Sequence, residues 1–490
     1  MTSASENLLS AETLSARVRE LPAGGLVVAL WGGGAVLAIA LGAAAATSLF
    51  VLVGLLAVVA ASLVVRAAFT APRRALIVLL FLLYSYGGWV LSHAVGAPEL
   101  SQGLLLIILA GVAWRRSTRR EEVSLPLELN ALLLLGLALV VSAAFASDLG
   151  TSLERVQDYI GYALTVVALV VLLDRPIWLR RALWTVVIAG GTLAILSIVQ
   201  AITGAYGSDF AGFAIAKSEG AGTFRVGGPL DPNFFGQVLV ATAILALYLT
   251  LSTPDRWGRR LGLAMFAACV AAGGLTGSRG ALVAGTAAFL LVLLLAPIPR
   301  GRVAAAGVIV AAAALIFLPA GLKARVGLPT SSANSIQVAT VTKGSESAVR
   351  GRESENLAAL EMFRDYPVLG VGPGNYPMHY LDYSEQIGLD PRLAPRDAHS
   401  LYLGTLAETG IVGACALLTV LWLALRGAWR ARLGLDGDDA VMAEGVFVAL
   451  MSFLVAGLFL HAAYPRYLWM MVGFGLIAGQ LARSAALDSR

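Results

Sequence analysis

Residues 129–146 read LNALLLLGLALVVSAAFA, eighteen consecutive positions without a charged side chain. An α-helix rises 1.5 Å per residue, so a run of about 18 apolar residues is long enough to cross the hydrocarbon core of a bilayer. Similar runs recur along the 490-residue chain, in which 58% of residues are hydrophobic and 13% are charged. Soluble proteins average about 25% charged residues, so the composition predicts a membrane protein.

The apolar runs predict an all-α, polytopic transmembrane bundle of about 12–14 helices. The predicted helices cover 26–43, 46–65, 75–94, 101–115, 128–146, 156–174, 180–203, 234–252, 260–276, 279–297, 303–320, 403–425, 441–461 and 466–483. The predicted organisation is a cytoplasmic segment 1–22, a bundle of about eleven helices at 23–320, a large loop at 321–402 and three last helices within 403–485.

The basic residues predict the orientation of this bundle. With the N-terminus in the cytoplasm, the inward segments collect 22 of the 35 lysines and arginines. Eight of the others lie in the long loop 321–402, which leaves five for the short outward loops. Short cytoplasmic loops are the ones enriched in Lys and Arg. We therefore expect a multi-pass protein of the bacterial inner membrane with both termini cytoplasmic and a periplasmic or extracellular active face.

Several function classes are disfavoured by the residue types present. Cys269 and Cys415 lie within apolar runs, where cysteine is usually a small core residue. No paired histidine spacing suggests a metal site, and no cofactor is predicted. A balance of 35 basic against 30 acidic residues gives no reason to expect nucleic acid as a partner.

Two outward segments, 204–233 and 321–402, interrupt the apolar pattern. The longer one contains a helical stretch near 352–365, in which Leu357, Leu360 and Phe363 form an apolar stripe predicted to pack against the membrane domain. The sequence Gly370-Val371-Gly372-Pro373-Gly374-Asn375 follows. It lacks the strand, the helix and the glycine order of a nucleotide-binding loop, so it predicts a tight turn under the active face.

Three outward side chains stand out as candidate functional groups. Arg279 lies in a very short hairpin at the membrane edge, where a charge is costly unless it is paired or in a wet cavity. Arg225 and His399 are predicted on the same face, whereas His93 and His461 fit interfacial anchors. The planar guanidinium suits phosphate oxygens, so the two arginines predict an anion site beside a candidate base.

The order of these motifs resembles the O-antigen ligase and polymerase superfamily of WaaL/Wzy-type membrane glycosyltransferases. The resemblance spans roughly 150–480, and its motifs are Arg225 with Pro232-Asn233, Ser278-Arg279-Gly280, the turn within 367–375, and His399-Ser400 followed by Glu408 and two glycines.

The resemblance implies a GT-C-like fold that transfers a glycan from an undecaprenyl-diphosphate donor to a sugar hydroxyl of lipid A-core or another glycan, without metal and with inversion. Arg225 and Arg279 would bind the diphosphate, and His399 would act as general base or orient the acceptor. The implied substrate-binding set is Arg225, Arg279, Asn233, Asp397, Arg396 and Tyr376, and membrane lipids would surround the protein. Asp397 and Glu408 are the candidates to orient His399.

Two alternatives stay open at this point. Some polymerases carry an arginine followed eleven positions later by glycine in two outward loops; Arg225 and Gly236 fit, but no second copy occurs in the long loop. This observation slightly favours a ligase over a Wzy-type polymerase. A lipid-glycan flippase or secondary transporter is the alternative of another class, although such proteins place coupling charges near the bilayer midplane, where these spans have almost none.

Overall fold

The computed structural model describes residues 62–63, 65–95, 100–119, 126–218, 224–301, 307, 335–389, 394–460 and 466–488. The segment 1–22, the predicted helix 26–43, most of the predicted helices 46–65 and 303–320, and His461 lie outside these residues. The chain divides into two compact units, Met1–Ala71 and Pro72–Arg490, and the fold below is that of the second.

Fourteen helices and one β-hairpin make up the described part of this unit. They are α1 Pro72–Tyr84, α2 Gly87–Val95, α3 Leu100–Arg119, α4 Leu129–Ala144, α5 Leu149–Leu172, α6 Pro176–Thr203, β1 Ile215–Ser218, β2 Phe224–Gly228, α7 Pro232–Leu251, α8 Arg256–Leu275, α9 Arg279–Leu295, α10 Ser335–Asp365, α11 Tyr376–Ile387, α12 Leu401–Gly434, α13 Gly437–Ala456 and α14 Arg466–Asp488.

Among the described residues, six helices are long and apolar enough to cross a membrane: α5, α6, α7, α12, α13 and α14. The bent pair α1 and α2 makes a seventh if it is counted as one span. Helices α4 and α9 are apolar but shorter. These features confirm the predicted all-α, polytopic membrane fold.

The predicted helix 75–94 is interrupted in the structure. Helices α1 and α2 meet at an angle of 74°, and Tyr86 between them has a φ of 62°. The Ser85 hydroxyl accepts a hydrogen bond from the Gly87 backbone N–H at 3.2 Å. Gly87 and Gly88 are poor helix formers, and serine competes for backbone donors, so the break has a local cause that hydrophobicity alone does not reveal.

The predicted helix 403–425 is also broken, at Gly410, whose φ of 59° and ψ of −163° are not helical. The turn before α11 supplies the hydrogen bonds that the break removes. Val371 and Gly372 donate backbone N–H groups to the carbonyls of Ala407 and Glu408 at 3.0 and 2.9 Å. Ile411 in turn donates to the carbonyl of Pro367 at 2.9 Å. Inside a membrane domain, a helix break requires such internal partners.

At one end of the bundle, arginines connect the helices through ion pairs and hydrogen bonds. Arg73 lies 2.6 Å from Asp174, and Arg180 donates to the Ser252 carbonyl at 2.6 Å. Arg432 pairs with Glu444 at 2.6 Å, and Arg483 pairs with Glu128. Ser252 directly follows α7, whereas Asn233 is at the start of α7, so the Arg225 region lies at the opposite end. That the arginine-rich end faces the cytoplasm stays a prediction.

The segment 335–389 forms the two-helix cap of the bundle, α10 and α11. In the predicted apolar stripe of α10, Leu357 and Phe363 are half-buried, but Leu360 is 38% exposed. The buried face is formed instead by Ala358, Ala359 and Met362. These residues form one core with Tyr376 and Tyr380 of α11. Small side chains on the inner face let α10 approach α11 closely, and the larger aliphatic residue is displaced outward.

Candidate functional site

Arg225 is a buried charged group at the outward-predicted end of the bundle. It lies on β2 with 3% of its surface exposed. Its Nε donates to the Thr276 carbonyl at 2.6 Å, and its Nη2 donates to the Asn233 Oδ1 at 2.7 Å. The guanidinium therefore ties the β-hairpin to the start of α7 and to the loop that precedes α9.

The start of α7 is held by a charged cap. The Asp231 carboxylate accepts from the Asn233 backbone N–H at 2.8 Å and from Lys217 Nζ at 2.6 Å. Burial acts to raise the pKa of Asp231, but the hydrogen bonds from Lys217 and Asn233 outweigh it and lower that pKa below 3.8. Lys217 is the cross-strand partner of Arg225, so β1 adds a second cation to this end of the bundle.

Arg279 begins α9 in a tight hairpin next to Arg225. Ser278 caps the helix by accepting from the Ala281 backbone N–H at 3.2 Å, and Gly277 has a positive φ of 57°. A Cβ on Gly236 would lie 2.8 Å from the Cβ of Ala281. The close approach of α7 to this hairpin therefore requires glycine, which gives the Arg225-to-Gly236 spacing a packing explanation.

The segment after α13 connects the Arg279 hairpin to the His399 segment. Leu401 donates its backbone N–H to the Gly457 carbonyl at 2.7 Å, and the Tyr402 hydroxyl donates to the Leu454 carbonyl at 2.8 Å. On the other side, a Cβ on Gly280 would lie 3.3 Å from Phe459 Cβ. Residues 454–459 thus contact both the start of α9, next to Arg279, and the start of α12, next to His399.

His399 contacts an acid that the sequence pattern did not point to. Its Nδ1 lies 2.6 Å from Oε2 of Glu355, with 28% of the histidine and 2% of the glutamate side chain exposed. The two atoms are close but are not aligned as a regular hydrogen bond. Glu355 lies on α10, and its backbone carbonyl accepts from the Tyr376 hydroxyl at 2.5 Å. A buried carboxylate is therefore fixed against the imidazole.

The other predicted site residues surround this pair at different depths. Tyr376 is buried, and the charges of Glu355, Asp397 and Glu408 act on it; burial, and then these charges, raise the pKa of its hydroxyl. Glu408 is buried in α12. Asp397 is exposed and Arg396 is half-buried beside the His399 segment. The structure places Glu355, rather than Asp397 or Glu408, against the imidazole Nδ1.

Among the residues that the structure describes, no group of three or more His, Cys, Asp or Glu side chains has an arrangement that would hold a metal ion.

Part of the chain that includes Arg279 and His399 is similar to a known protein family. Residues 263–418 match the model of the O-antigen ligase family. The matched region contains Arg279, Glu355, His399 and the helix break at Gly410, whereas Arg225 and Asn233 precede it. The match confirms the O-antigen ligase and polymerase superfamily and supports a ligase- or polymerase-type function. No curated protein matches the chain.

Two polar partners in this arrangement were missed by sequence reasoning. Glu355 is 44 positions before His399, and Lys217 approaches Asp231 only because β1 pairs with β2. The signal for Glu355 was a carboxylate on the same helical face as Ala358, Ala359 and Met362, at spacings of three, four and seven. A polar residue on a buried face needs a partner, which here is His399.

Proposed function

We propose that the chain is an O-antigen ligase-like glycosyltransferase. It would move a glycan from an undecaprenyl-diphosphate donor to a sugar hydroxyl on lipid A-core or another glycan, at the periplasmic face of the inner membrane. The observation that carries the proposal is the shared packing of the Arg279 hairpin and the His399 segment against residues 454–459. It supports a cationic site and a base on one face.

In this proposal, Arg279 contacts the diphosphate and Arg225 supports it. Arg279 is half-buried at the start of α9, where its guanidinium can present two parallel N–H donors to phosphate oxygens. Arg225 is buried and its donors reach Thr276 and Asn233. It would therefore hold the hairpin in place and add positive charge, while Asn233 orients it. Both charges would stabilise the diphosphate as the bond to the sugar breaks.

His399 is the proposed general base. Its Nδ1 faces Glu355, which leaves Nε2 to accept the proton of the acceptor hydroxyl. The hydroxyl oxygen then attacks the anomeric carbon, the bond from that carbon to the diphosphate oxygen breaks, and the electron pair leaves with the diphosphate. A single displacement of this kind inverts the anomeric configuration. The Glu355 carboxylate would orient the ring and stabilise the imidazolium that forms.

The proposal is tested with purified protein, a lipid-diphosphate-linked glycan and a separate glycolipid acceptor. We expect His399→Ala to lower the rate of transfer by at least about 100-fold, the contribution typical of a general base. His379→Ala is the matched control, because this histidine of the cap contacts Ser147 at 2.9 Å and has no proposed part in transfer. Transfer at the wild-type rate by His399→Ala would exclude the mechanism.

The choice between ligase and polymerase is part of the same experiment. Both are members of the superfamily, and both use a lipid-diphosphate donor in this proposal. A single transfer that needs a separate acceptor supports the ligase, whereas a ladder from the donor alone supports a Wzy-type polymerase. Movement of the lipid across the bilayer without transfer would support a flippase instead.

A further inference from the structure

A second group of polar side chains lies in the bundle away from the Arg225, Arg279 and His399 site. Helix α5 is one of the six spans, yet it carries Arg155, Asp158 and Tyr162 at spacings of three and seven. These spacings put the three side chains on one face of the helix. Arg155 Nη1 lies 3.5 Å from Asp158 Oδ2. Charged residues on a spanning helix are costly and usually mark a functional path.

Two further residues complete this group, which we call the α5 stripe. The guanidinium of Arg466, the first residue of α14, lies 4.5 Å from the ring centre of Tyr86. The Tyr162 hydroxyl is within electrostatic reach of Asp158, Arg466, Tyr86 and Arg155. The stripe therefore consists of these five residues, with two arginines against one aspartate and two tyrosine rings.

The stripe lies within the length of the spanning bundle, away from its Arg73 end. Helix α1 has 13 residues, so Tyr86 is roughly 20 Å from the Arg73 end of the bundle, less than the apolar thickness of about 30 Å. Tyr86 has a φ of 62°, a strained conformation for a bulky side chain. Strain of this kind persists where the surroundings fix a residue for a function. The bend after α1 thus turns a tyrosine toward a charge inside the membrane domain.

Arg155 of the stripe contacts the glycine turn, which is hydrogen-bonded to the helix that follows His399. A Cβ on Gly374 would lie 2.7 Å from Arg155 Cγ, so the glycine turn lies directly against Arg155. The same turn donates from Val371 to the Ala407 carbonyl at 3.0 Å. His399 is eight residues before Ala407, roughly 12 Å at the helical rise. A headgroup held at the stripe could therefore present a sugar hydroxyl toward His399.

We propose that the α5 stripe binds the phosphate-bearing sugar headgroup of the acceptor lipid. Guanidinium groups suit phosphate oxygens, tyrosine rings offer an apolar face and a hydroxyl to a sugar, and Asp158 accepts hydrogen bonds from sugar hydroxyls. The donor diphosphate has a separate set of arginines on β2 and α9, so this group is left for the second substrate. The inference rests on the proposed glycosyl transfer, whose acceptor is lipid-anchored whether the enzyme is a ligase or a polymerase.

The test is steady-state kinetics of purified Arg466→Gln with donor and acceptor varied in turn. We expect the KM for the acceptor to rise about tenfold or more, the loss typical of a charge-assisted hydrogen bond, while the KM for the donor stays unchanged. The matched control is Arg181→Gln, an arginine that stacks on Trp178 at 4.6 Å near the start of α6. An unchanged acceptor KM, or a rise in the donor KM, would overturn the assignment.

Tyr162→Phe is a milder second variant that keeps the inference testable if Arg466→Gln does not fold. It removes one hydroxyl and should also raise the acceptor KM; if it does not, the inference fails whatever Arg466→Gln does. Direct binding is measured with Arg279→Ala, which leaves the stripe intact. We expect it to bind a sugar-phosphate glycolipid more tightly than the dephosphorylated form, and equal binding contradicts the inference.

Two further measurements identify which lipid carries the bound phosphate and distinguish failure of this inference from failure of the proposed function. If the wild-type protein binds a phosphorylated lipid A-core acceptor more tightly than a lipid-diphosphate glycan, the stripe binds the acceptor of a ligase. If it binds the lipid-diphosphate glycan more tightly, the stripe binds the growing chain of a polymerase. Equal displacement by phosphatidylglycerol vesicles would make it a general lipid contact and overturn it. Absence of any transfer by the wild-type protein defeats the proposed function, whereas normal transfer with unaltered stripe variants defeats only this inference.

Discussion

His399 Nδ1 lies 2.6 Å from Oε2 of Glu355, a carboxylate that is 2% exposed. The pair connects the start of α12 to α10 across 44 positions of sequence. Tyr376 fixes the backbone of Glu355 by donating to its carbonyl at 2.5 Å. A half-exposed imidazole with one buried acidic neighbour is the arrangement expected of an oriented base.

Glu355→Gln should lower kcat for glycan transfer by roughly 100-fold, because the amide cannot stabilise the imidazolium as the carboxylate does. The KM values for donor and acceptor should change little. Glu353→Gln, an exposed glutamate on the same helix, should have no effect. Equal rates for the two variants in the reconstituted assay would show that Glu355 is only structural.

Arg279→Lys should lose most of the transfer activity, since a compact ammonium cannot reproduce two parallel N–H donors. The expected loss is about tenfold or more, from one charge-assisted hydrogen bond. Arg260→Lys near the start of α8 serves as the control, because Arg260 stacks on Trp257 at 5.0 Å. Full activity of Arg279→Lys would mean that a charge at the membrane edge is sufficient.

Gly410→Ala should destabilise the protein by about 1–3 kcal/mol or more, because its φ of 59° and ψ of −163° are almost restricted to glycine. The added Cβ would also lie 2.3 Å from the carbonyl carbon of Val368. Gly273→Ala in α8 should not destabilise, because no heavy atom lies within 4 Å of its added Cβ. Thermal unfolding in detergent compares the two, and a similar melting temperature would contradict the role of the break.

The contribution of Asp231 to stability should depend on pH in one direction. Its pKa in the folded protein is below 3.8, so its stabilising effect is fully present above about pH 4 and decreases as the pH falls through the folded-state pKa. Asp231→Asn should therefore lower the melting temperature at pH 7, and the difference from wild type should shrink as the pH falls through the lowered pKa of Asp231. Asp209→Asn, an exposed aspartate of the same outward segment, is the control. A difference that persists at low pH would contradict the assignment to the Lys217 pair.

The spanning helices follow from sequence because their cause is local. The predicted helix 180–203 corresponds to Pro176–Thr203, and 234–252 to Pro232–Leu251. Their length and hydrophobicity require no knowledge of partners. The breaks at Tyr86 and Gly410 were not predicted, since hydrophobicity is continuous across both and the hydrogen bonds that allow them come from distant residues. The β-hairpin at 215–228 was missed because it lies in a short polar segment.

The candidate site was predicted in part. Arg225 and Arg279 were identified as charges at the membrane edge and His399 by its polar neighbours. In the structure, residues 454–459 contact the segments of both Arg279 and His399. The neighbour of His399 could not be found in this way. Glu355 approaches it only after α10 packs against α11 and α12, a contact that depends on small buried residues rather than on any motif.

The central claim is that one face of the bundle holds a diphosphate and a base that acts on an acceptor. The most direct measurement is glycan transfer in proteoliposomes that contain the purified protein, a lipid-diphosphate-linked glycan and a separate glycolipid acceptor. We predict one inverted glycosidic linkage per acceptor with wild-type protein and none with Arg279→Ala or His399→Ala, at equal amounts of inserted protein. Retention of the anomeric configuration, or wild-type transfer by both variants, would contradict the account.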